Sequence, residues 1–337
     1  MFGKLRIAVV IPCYRVTSHV LGVINAIPSE VDAIYCIDDG CPDGSGDVIR
    51  MACRDPRVIV ISLEENRGVG GAVKEGYLAA RAAGYDVAVK VDGDGQMDPS
   101  LIPNFLHPIA TGLADYTKGN RFFSIEDVRA MPRHRIVGNA VLSFLAKFST
   151  GYWHLFDPTN GYTAIHLRVL DLISLDKVAD RYFFETDLLF RMNIARCVVR
   201  EIPMVARYAD EKSNLRISRI IIPFIGGHVR NVIKRLFYSY YLRGFNIASL
   251  QILVGLPMFL GGVIFAGHHW WLSVTNDTPA TAGTVMVGAL LIIAGLQLSL
   301  AALSYDIGDV PRDAIHPVML ENPAGKRTSV AEESIFE

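Results

Sequence analysis

At 337 residues the chain is long enough for one large domain or two smaller ones. Its formal net charge of −1 provides no global field for nucleic acid, and no nucleic-acid partner is expected. An apolar content of 51% with a mean hydropathy of +0.29 is high for a water-soluble chain and calls for membrane segments. Residues 1–6 lead straight into a strand-like stretch, without the charged, apolar and cleavage regions of a secretory leader. Leu5-Arg6-Ile7-Ala8-Val9-Val10-Ile11 reads as a continuous strand ended by Pro12, and a helix is expected over about residues 18–26. A second strand, residues 33–37, ends in Asp38-Asp39-Gly40. A third spans residues 58–63, and a helix over 70–83 leads to the run 85–90. Unalternated apolar strands separated by helices predict a mostly parallel sheet with helices on both faces. In such sheets ligands bind beyond the carboxyl ends of the strands, where Asp38, Asp39, Asp92 and Asp94 all fall. The five cysteines (Cys13, Cys36, Cys41, Cys53, Cys197) form no CxxC pair or disulfide framework, which suits a reducing compartment.

The fourth strand runs into Val91-Asp92-Gly93-Asp94-Gly95-Gln96-Met97-Asp98-Pro99. Two carboxylates one glycine apart repel each other. The expected remedy is a divalent cation, Mg²⁺ or Mn²⁺, which takes oxygen ligands and bridges carboxylates to phosphates. Gly93 and Gly95 leave room for close approach of backbone and ligand. Residues 115–120 predict another strand, with Arg121 at its end as a bidentate phosphate binder. Arg133 and Arg135 lie just before a helix expected over residues 138–149 and are candidates for an acceptor phosphate. A second acidic group comprises Asp157, Glu185 and Asp187. Arg67-Gly68-Val69-Gly70-Gly71-Ala72 imitates a dinucleotide fingerprint, but its third glycine would fall on Val73, and it follows the third strand rather than the first.

The apolar excess lies toward the C-terminus. Residues 245–267 and 281–303 carry no formal charge, and each exceeds the roughly 20 residues a helix needs to span a bilayer. Trp270 and Trp271 in the connection 268–280 are placed as interfacial anchors. Arg230, Lys234, Arg235 and Arg243 precede the first span, whereas Asp277 is the connection's sole formal charge. The positive-inside rule then places the N-terminal domain and both ends in the cytoplasm, on an integral protein of the cell's inner or plasma membrane. Residues 216–243 mix apolar, basic and tyrosine residues as a helix in the headgroup plane would. Gly261-Gly262 would permit helix pairing, so a homo-oligomer stays open.

Ile11-Pro12-Cys13-Tyr14-Arg15, Asp38-Asp39-Gly40-Cys41-Pro42-Asp43-Gly44, Asn66-Arg67-Gly68, residues 92–99 and Gly119-Asn120-Arg121-Phe122, in this order and spacing, resemble the family 2 glycosyltransferases of GT-A fold. The likeness is nearest to the branch of dolichol-phosphate mannose synthase and bacterial polyprenyl-phosphate glycosyltransferases, and it covers about residues 5–215. It implies an α/β GT-A (Rossmann-like) domain over 1–215; composition adds a juxtamembrane helix over 216–243, two transmembrane helices within 244–306 (about 245–267 and 281–303), and a cytosolic tail without fixed structure over 307–337. It further implies that Pro12, Tyr14, Arg15, Asp38 and Asp39 bind a UDP- or GDP-sugar. Asp92, Asp94 and Gln96 would hold Mg²⁺ or Mn²⁺; the dolichol-phosphate mannose synthase pattern reads Asp-Ala-Asp-Leu-Gln, so this chain departs at Gly93 and Gly95. Lys212 and Arg216 match a basic loop that closes over donor phosphates in relatives. Glu185 and Asp187 lie near the position of a general base in members that glycosylate a hydroxyl; for a phosphate acceptor no base is needed.

The expected activity is inverting transfer of a sugar to a membrane polyprenyl phosphate, with Asp94, Arg121, Asp157, Glu185 and Asp187 as the catalytic set. One alternative is a transferase that extends a lipid-linked sugar or polysaccharide through a hydroxyl. Another is a non-catalytic membrane scaffold that binds a nucleotide sugar.

Overall fold

The computed structural model describes residues 5–123, 133–205 and 217–319. Its elements are β1 (Ile7–Cys13), α1 (Val20–Asn25), β2 (Ala33–Asp38), α2 (Ser45–Ala52), β3 (Val58–Ser62), α3 (Val69–Ala82), β4 (Val87–Lys90), α4 (Ile102–Ala110), β5 (Tyr116–Asn120), α5 (Arg133–Thr150), β6 (Thr163–His166), α6 (Phe184–Ile194), β7 (Val199–Pro203), α7 (Ile217–Phe237), α8 (Ile247–Thr275) and α9 (Ala282–Gly308). The strands form one seven-stranded sheet in the order β3-β2-β1-β4-β6-β5-β7. β6 is antiparallel to both of its neighbours, and all other pairings are parallel. Because β6 runs backwards, its entry, Asn160-Gly161, reaches the same edge as the exits of β1, β2, β4 and β5. That edge carries the chemistry.

The central strands are buried on both faces, as their unalternated Ile, Val and Ala content requires. Val10, Tyr35 and Ile37 pack with Tyr77 of α3 and Leu188 of α6 on one face. Ile7, Val9 and Ile11 pack with Ile24 of α1 and Phe105 of α4 on the other. β3 is an edge strand and half-exposed. Gly76 lets α3 lie directly on β1: a Cβ there would stand 2.3 Å from Val10 Cγ1.

Two helices, α8 with 29 residues and α9 with 27, are long and apolar enough to cross a membrane, with mean hydropathies of 2.0 and 2.2 over their most apolar windows. Only 22% and 17% of those windows are buried, the reverse of a core helix. α8 continues through Trp270 and Trp271 to Thr275, so the connection between the helices is shorter than the sequence implied. The helices meet through glycines. A Cβ on Gly262 would lie 2.8 Å from Ile292 N, and one on Gly295 would lie 2.3 Å from Phe259 N. Gly262 is thus used within the hairpin, whereas nothing lies within 4 Å of a Cβ on Gly261.

A buried polar hub joins the hairpin to the domain. The Asp306 carboxylate at the end of α9 accepts from Arg235 Nη1 and Nη2 at 2.6 and 2.9 Å, Tyr240 OH at 2.5 Å and Trp153 Nε1 at 2.8 Å. The unstructured tail expected from 307 does not hold over its first part: residues 309–319 return to the sheet domain. Arg196 pairs with the Asp309 carboxylate at 3.0 and 3.2 Å. The backbone N–H groups of Ile315 and His316 donate to Asp115 at 2.8–3.0 Å, and His316 Nδ1 lies 2.8 Å from it. Asp115 is fully buried, and a buried carboxylate needs such donors, which the strap supplies. Both ends of the hairpin therefore lie on the domain's side. Residues 320–337 lie outside the described residues.

Candidate active site

β1 delivers Pro12 and Cys13 to the carboxyl edge, followed by Tyr14 and Arg15. Arg15 has φ +58°, a left-handed backbone uncommon for a residue with a side chain. Its guanidinium lies 5.5 Å from the Tyr14 ring centroid, and Tyr14 is 42% exposed. Both side chains are exposed at the β1 exit. β2 ends in Asp38 and Asp39, which stitch the neighbouring loops. Asp38 accepts from Cys41 N at 3.0 Å and Gly46 N at 3.2 Å. Asp39 accepts from Arg67 N at 2.7 Å and Gly68 N at 2.9 Å. Burial pushes the Asp39 pKa up, and the backbone N–H groups only partly oppose that. Both carboxylates thus first hold the loops at the sheet edge, leaving only residual acceptor capacity for a ligand.

The β4 exit carries the acidic loop. Gly95 has φ +80°, which favours glycine. Asp94 Oδ1 accepts from Gln96 N at 3.0 Å. Asp98 is a cap: its Oδ1 accepts from Ser100 N and Oγ at 3.0 and 2.7 Å. Beneath the loop sits Lys90, whose side chain is 1% exposed. Its Nζ donates to Asp92 Oδ1 at 2.7 Å and Gly161 O at 3.0 Å, and stands 3.7 Å from Glu185 Oε1. Burial lowers the Lys90 pKa, but Asp92 and Glu185 outweigh it and hold the ammonium above the ordinary lysine range. The repulsion read from the sequence between Asp92 and Asp94 is therefore already relieved from inside the protein.

A second buried lysine, Lys118 of β5, donates to the Asn160 carbonyl. Burial pushes its pKa down to about 8. Two adjacent carbonyls at the β6 entry are thus gripped from below by two lysines. Gly161 makes this possible, since a Cβ there would lie 2.6 Å from Lys90 Nζ and 2.8 Å from Asp92 Oδ2.

Arg121 follows β5 and is clamped by Asp157, with Nε–Oδ2 at 2.7 Å, Nη2–Oδ1 at 2.9 Å and its backbone N to Oδ2 at 3.2 Å. Asp157 is 1% exposed, the Arg121 side chain 31%. Phe156 N and Asp157 N in turn donate to Glu201 Oε1 at 2.6 and 2.8 Å. Asp157 is the orienting partner of Arg121 rather than an unengaged carboxylate.

The two acids of α6 part company. Glu185 reaches the site through Lys90. Asp187, expected in the catalytic set, is fully buried on the opposite side. It accepts from Ala179 N, Arg191 Nε, Arg230 Nη2 and Asn231 Nδ2 at 3.1–3.4 Å, tying α6 to α7. A two-residue step on a helix turns side chains away from each other, which explains the split. Arg133 and Arg135 lie in the first turn of α5 rather than before it; their side chains, and Lys212 and Arg216 entirely, lie outside the described residues.

The sequence reading missed Lys90, Lys118, Glu201 and Gly161. The usable signal was a lysine inside an otherwise apolar strand, since a fully buried lysine almost always has a counter-charge. Asp92, Asp94 and Gln96 offer two carboxylates and an amide, an all-oxygen set that fits a hard divalent cation. Among the described residues no group of three or more His, Cys, Asp or Glu forms a metal cage. A cation on this loop would need further oxygens from substrate.

Residues 8–173 match the profile of Glycosyl transferase family 2. The chain is 31% identical over 192 residues to an undecaprenyl-phosphate mannosyltransferase of Micrococcus luteus, covering 56% of this chain and 77% of that one. It is 29% identical over 238 residues to a UDP-N-acetylglucosamine–dolichyl-phosphate N-acetylglucosaminyltransferase of Methanococcus voltae, covering 66% and 94%. The fold is similar to that of glucosyl-3-phosphoglycerate synthase from Mycobacterium tuberculosis, solved with UDP, at a TM-score of 0.50 and 17% identity over 68% of this chain and 80% of that one. That likeness bears out the GT-A architecture. With a parallel-sheet edge carrying the acidic loop and Arg121, and with these relatives, the scaffold alternative gives way to an enzyme: the chain belongs to glycosyltransferase family 2.

Proposed function

We propose that this enzyme transfers a sugar, with inversion, from a nucleoside-diphosphate donor to a polyprenyl phosphate in the membrane. The observation that carries this reading is the reversed amphipathicity of α7. His228, Asn231 and Arg235 are buried against the domain, while Ile222, Ile225, Val229, Ile233 and Phe237 are exposed. The exposed positions recur every three or four residues, a single helix face. An apolar stripe turned outward beside two bilayer-length helices fits the headgroup boundary. Between α5 and α7 an apolar cavity of about 220 Å³, lined by Leu145, Phe148, Ile225, Val229 and Ile233 among others, suits an isoprenoid segment. The lipid phosphates in the names of the two relatives support the same acceptor class.

In this reading Pro12, Tyr14 and Arg15 wall the base, and the loops pinned by Asp38 and Asp39 enclose the ribose. Arg121, oriented by Asp157, turns its remaining surface to phosphate. Lys212 and Arg216 would close over the donor, and Arg133 and Arg135 would meet the acceptor phosphate. A divalent cation held by Asp92, Asp94 and Gln96 would supply positive charge against the diphosphate. The acceptor oxygen is already ionised and attacks the anomeric carbon from the face opposite the leaving group, so no general base is required. Glu185, committed to Lys90, and Asp187, committed to α7, support that economy. The strap 309–319 and the basic residues before α8 support a cytoplasmic domain with both hairpin ends on the same side.

The test uses full-length protein in nanodiscs, Mn²⁺ and a panel of UDP- and GDP-sugars with polyprenyl phosphate. Transfer should appear with one donor and vanish with chelator or Asp94→Asn. A protein that transfers to a soluble or lipid-linked hydroxyl but never to the lipid phosphate would refute the acceptor assignment.

A further inference from the structure

The acidic loop stands on a buried cation that the donor reading leaves unexplained. Lys90 is enclosed by β4, the β6 entry and α6, and its ammonium meets one oxygen of Asp92, the Gly161 carbonyl and Glu185. Asp92 Oδ1 is turned inward onto Lys90, so Asp92 offers a cation chiefly its other oxygen. The arrangement is built rather than incidental, since any side chain at position 161 would collide with both members of the pair. Without a substrate, a divalent ion on the loop would face one carboxylate already neutralised and an ammonium just behind it. Like charges this close, in a poorly solvated setting, weaken binding strongly. A bound diphosphate reverses the balance by adding anionic oxygens on the open side.

We propose that Lys90 is a positioning residue that acts as the permanent counter-ion of Asp92, so that the divalent cation is held only together with the donor's diphosphate. The inference rests on the metal-dependent reading above. It places the order of binding in the protein's own charge: the empty site is stable without a metal, and it takes up metal and nucleotide as a unit.

The test is Mn²⁺ binding, read as loss of the free-ion electron paramagnetic resonance signal beyond that caused by the same nucleotide without protein, on full-length protein with and without UDP or GDP. The wild-type chain should bind Mn²⁺ weakly alone and at least about tenfold more tightly with a nucleoside diphosphate. Lys90→Gln keeps a hydrogen-bonding head and removes the charge; it should tighten nucleotide-free Mn²⁺ binding by about tenfold or more. Lys90→Arg keeps the charge and should retain the wild-type order. Damage to the fold would weaken metal binding, so a gain cannot come from structural loss. Wild-type protein that binds Mn²⁺ equally well without nucleotide overturns the inference even if Lys90→Gln does not fold. So does a Gln variant with unchanged or weaker nucleotide-free binding, or an Arg variant that behaves like Gln. If no Mn²⁺ binds even with UDP and GDP, the metal reading itself fails, and this inference with it.

Discussion

Replacing Asp306 by alanine tests whether the hairpin and the catalytic domain are one folding unit. The carboxylate accepts four hydrogen bonds, two of them from Arg235. The side chains are 8% and 3% exposed, respectively. Truncation leaves the Arg235 guanidinium buried without its counter-charge, because its other bond, to Phe148 O at 2.9 Å, is to a neutral carbonyl. Removing one partner of a buried ion pair costs about 3–5 kcal/mol. For a chain of this size that corresponds to a fall in Tm of roughly 4–7 °C. Adding Arg235→Met should restore part of the loss, since the unpaired charge then disappears. The assay is thermal unfolding in detergent, together with donor binding and lipid transfer. Lipid transfer should fall further than donor binding, because the hub sits between the site and the hairpin. A Tm within about 1 °C of wild type for Asp306→Ala, or a double variant less stable than the single one by the full cost of a second lesion, would refute the reasoning.

Gly161→Ala should leave the fold largely intact yet lower kcat by about tenfold or more, because the added methyl displaces Lys90 and Asp92 from each other; melting curves beside turnover check this. Val229→Glu or Ile233→Glu, at exposed apolar positions of α7, should change stability by less than about 0.5 kcal/mol. Either should raise KM for the lipid acceptor but not for the donor; equal effects on both would contradict a membrane-facing α7. Burial holds His166 down to about 3 and His228 down to about 4, against about 6.5 for a free imidazole. The unfolded chain therefore takes up protons first. The stability that these neutral rings contribute is complete above about pH 6.5 and is lost as the pH falls toward the folded values, by up to about 1.4 kcal/mol per group per unit. A Tm that stays flat between about pH 7 and pH 5 would count against this.

The strands β1, β2 and β4 were legible because burial on both faces leaves no polar letter to interrupt them. β6 was not, since four residues with threonine and histidine at the ends carry no period, and its place is set by Lys90 and β5. α2 was also missed: its Gly44-Ser45-Gly46 entry reads as a turn, and its eight residues are held by Asp38, a neighbour in space. At the site, the residue types on the carboxyl edge of the sheet could be read, because they cluster at strand ends. Their supports could not. Lys90 meets Gly161 and Glu185, 71 and 95 positions away, and spacing along the chain says nothing of such pairs. Asp187 shows the converse: its motif looked catalytic, and only the packing of α7 reveals a structural tie.

The strap after α9 bears on how the protein is made. Asp115 is completed by Ile315 and His316, 200 and 201 positions downstream. At about 5–20 residues per second of synthesis, the carboxylate waits roughly 10–40 s for them. Val198 N, 83 positions downstream and at 2.8 Å, precedes them and is then the sole available donor among its described partners. The catalytic domain therefore reaches its final form only after both apolar helices have left the ribosome. Biogenesis thus couples completion of the sugar-transfer head to synthesis of its two long apolar helices, and a chain stalled within the hairpin would carry Asp115 without the donors of the strap.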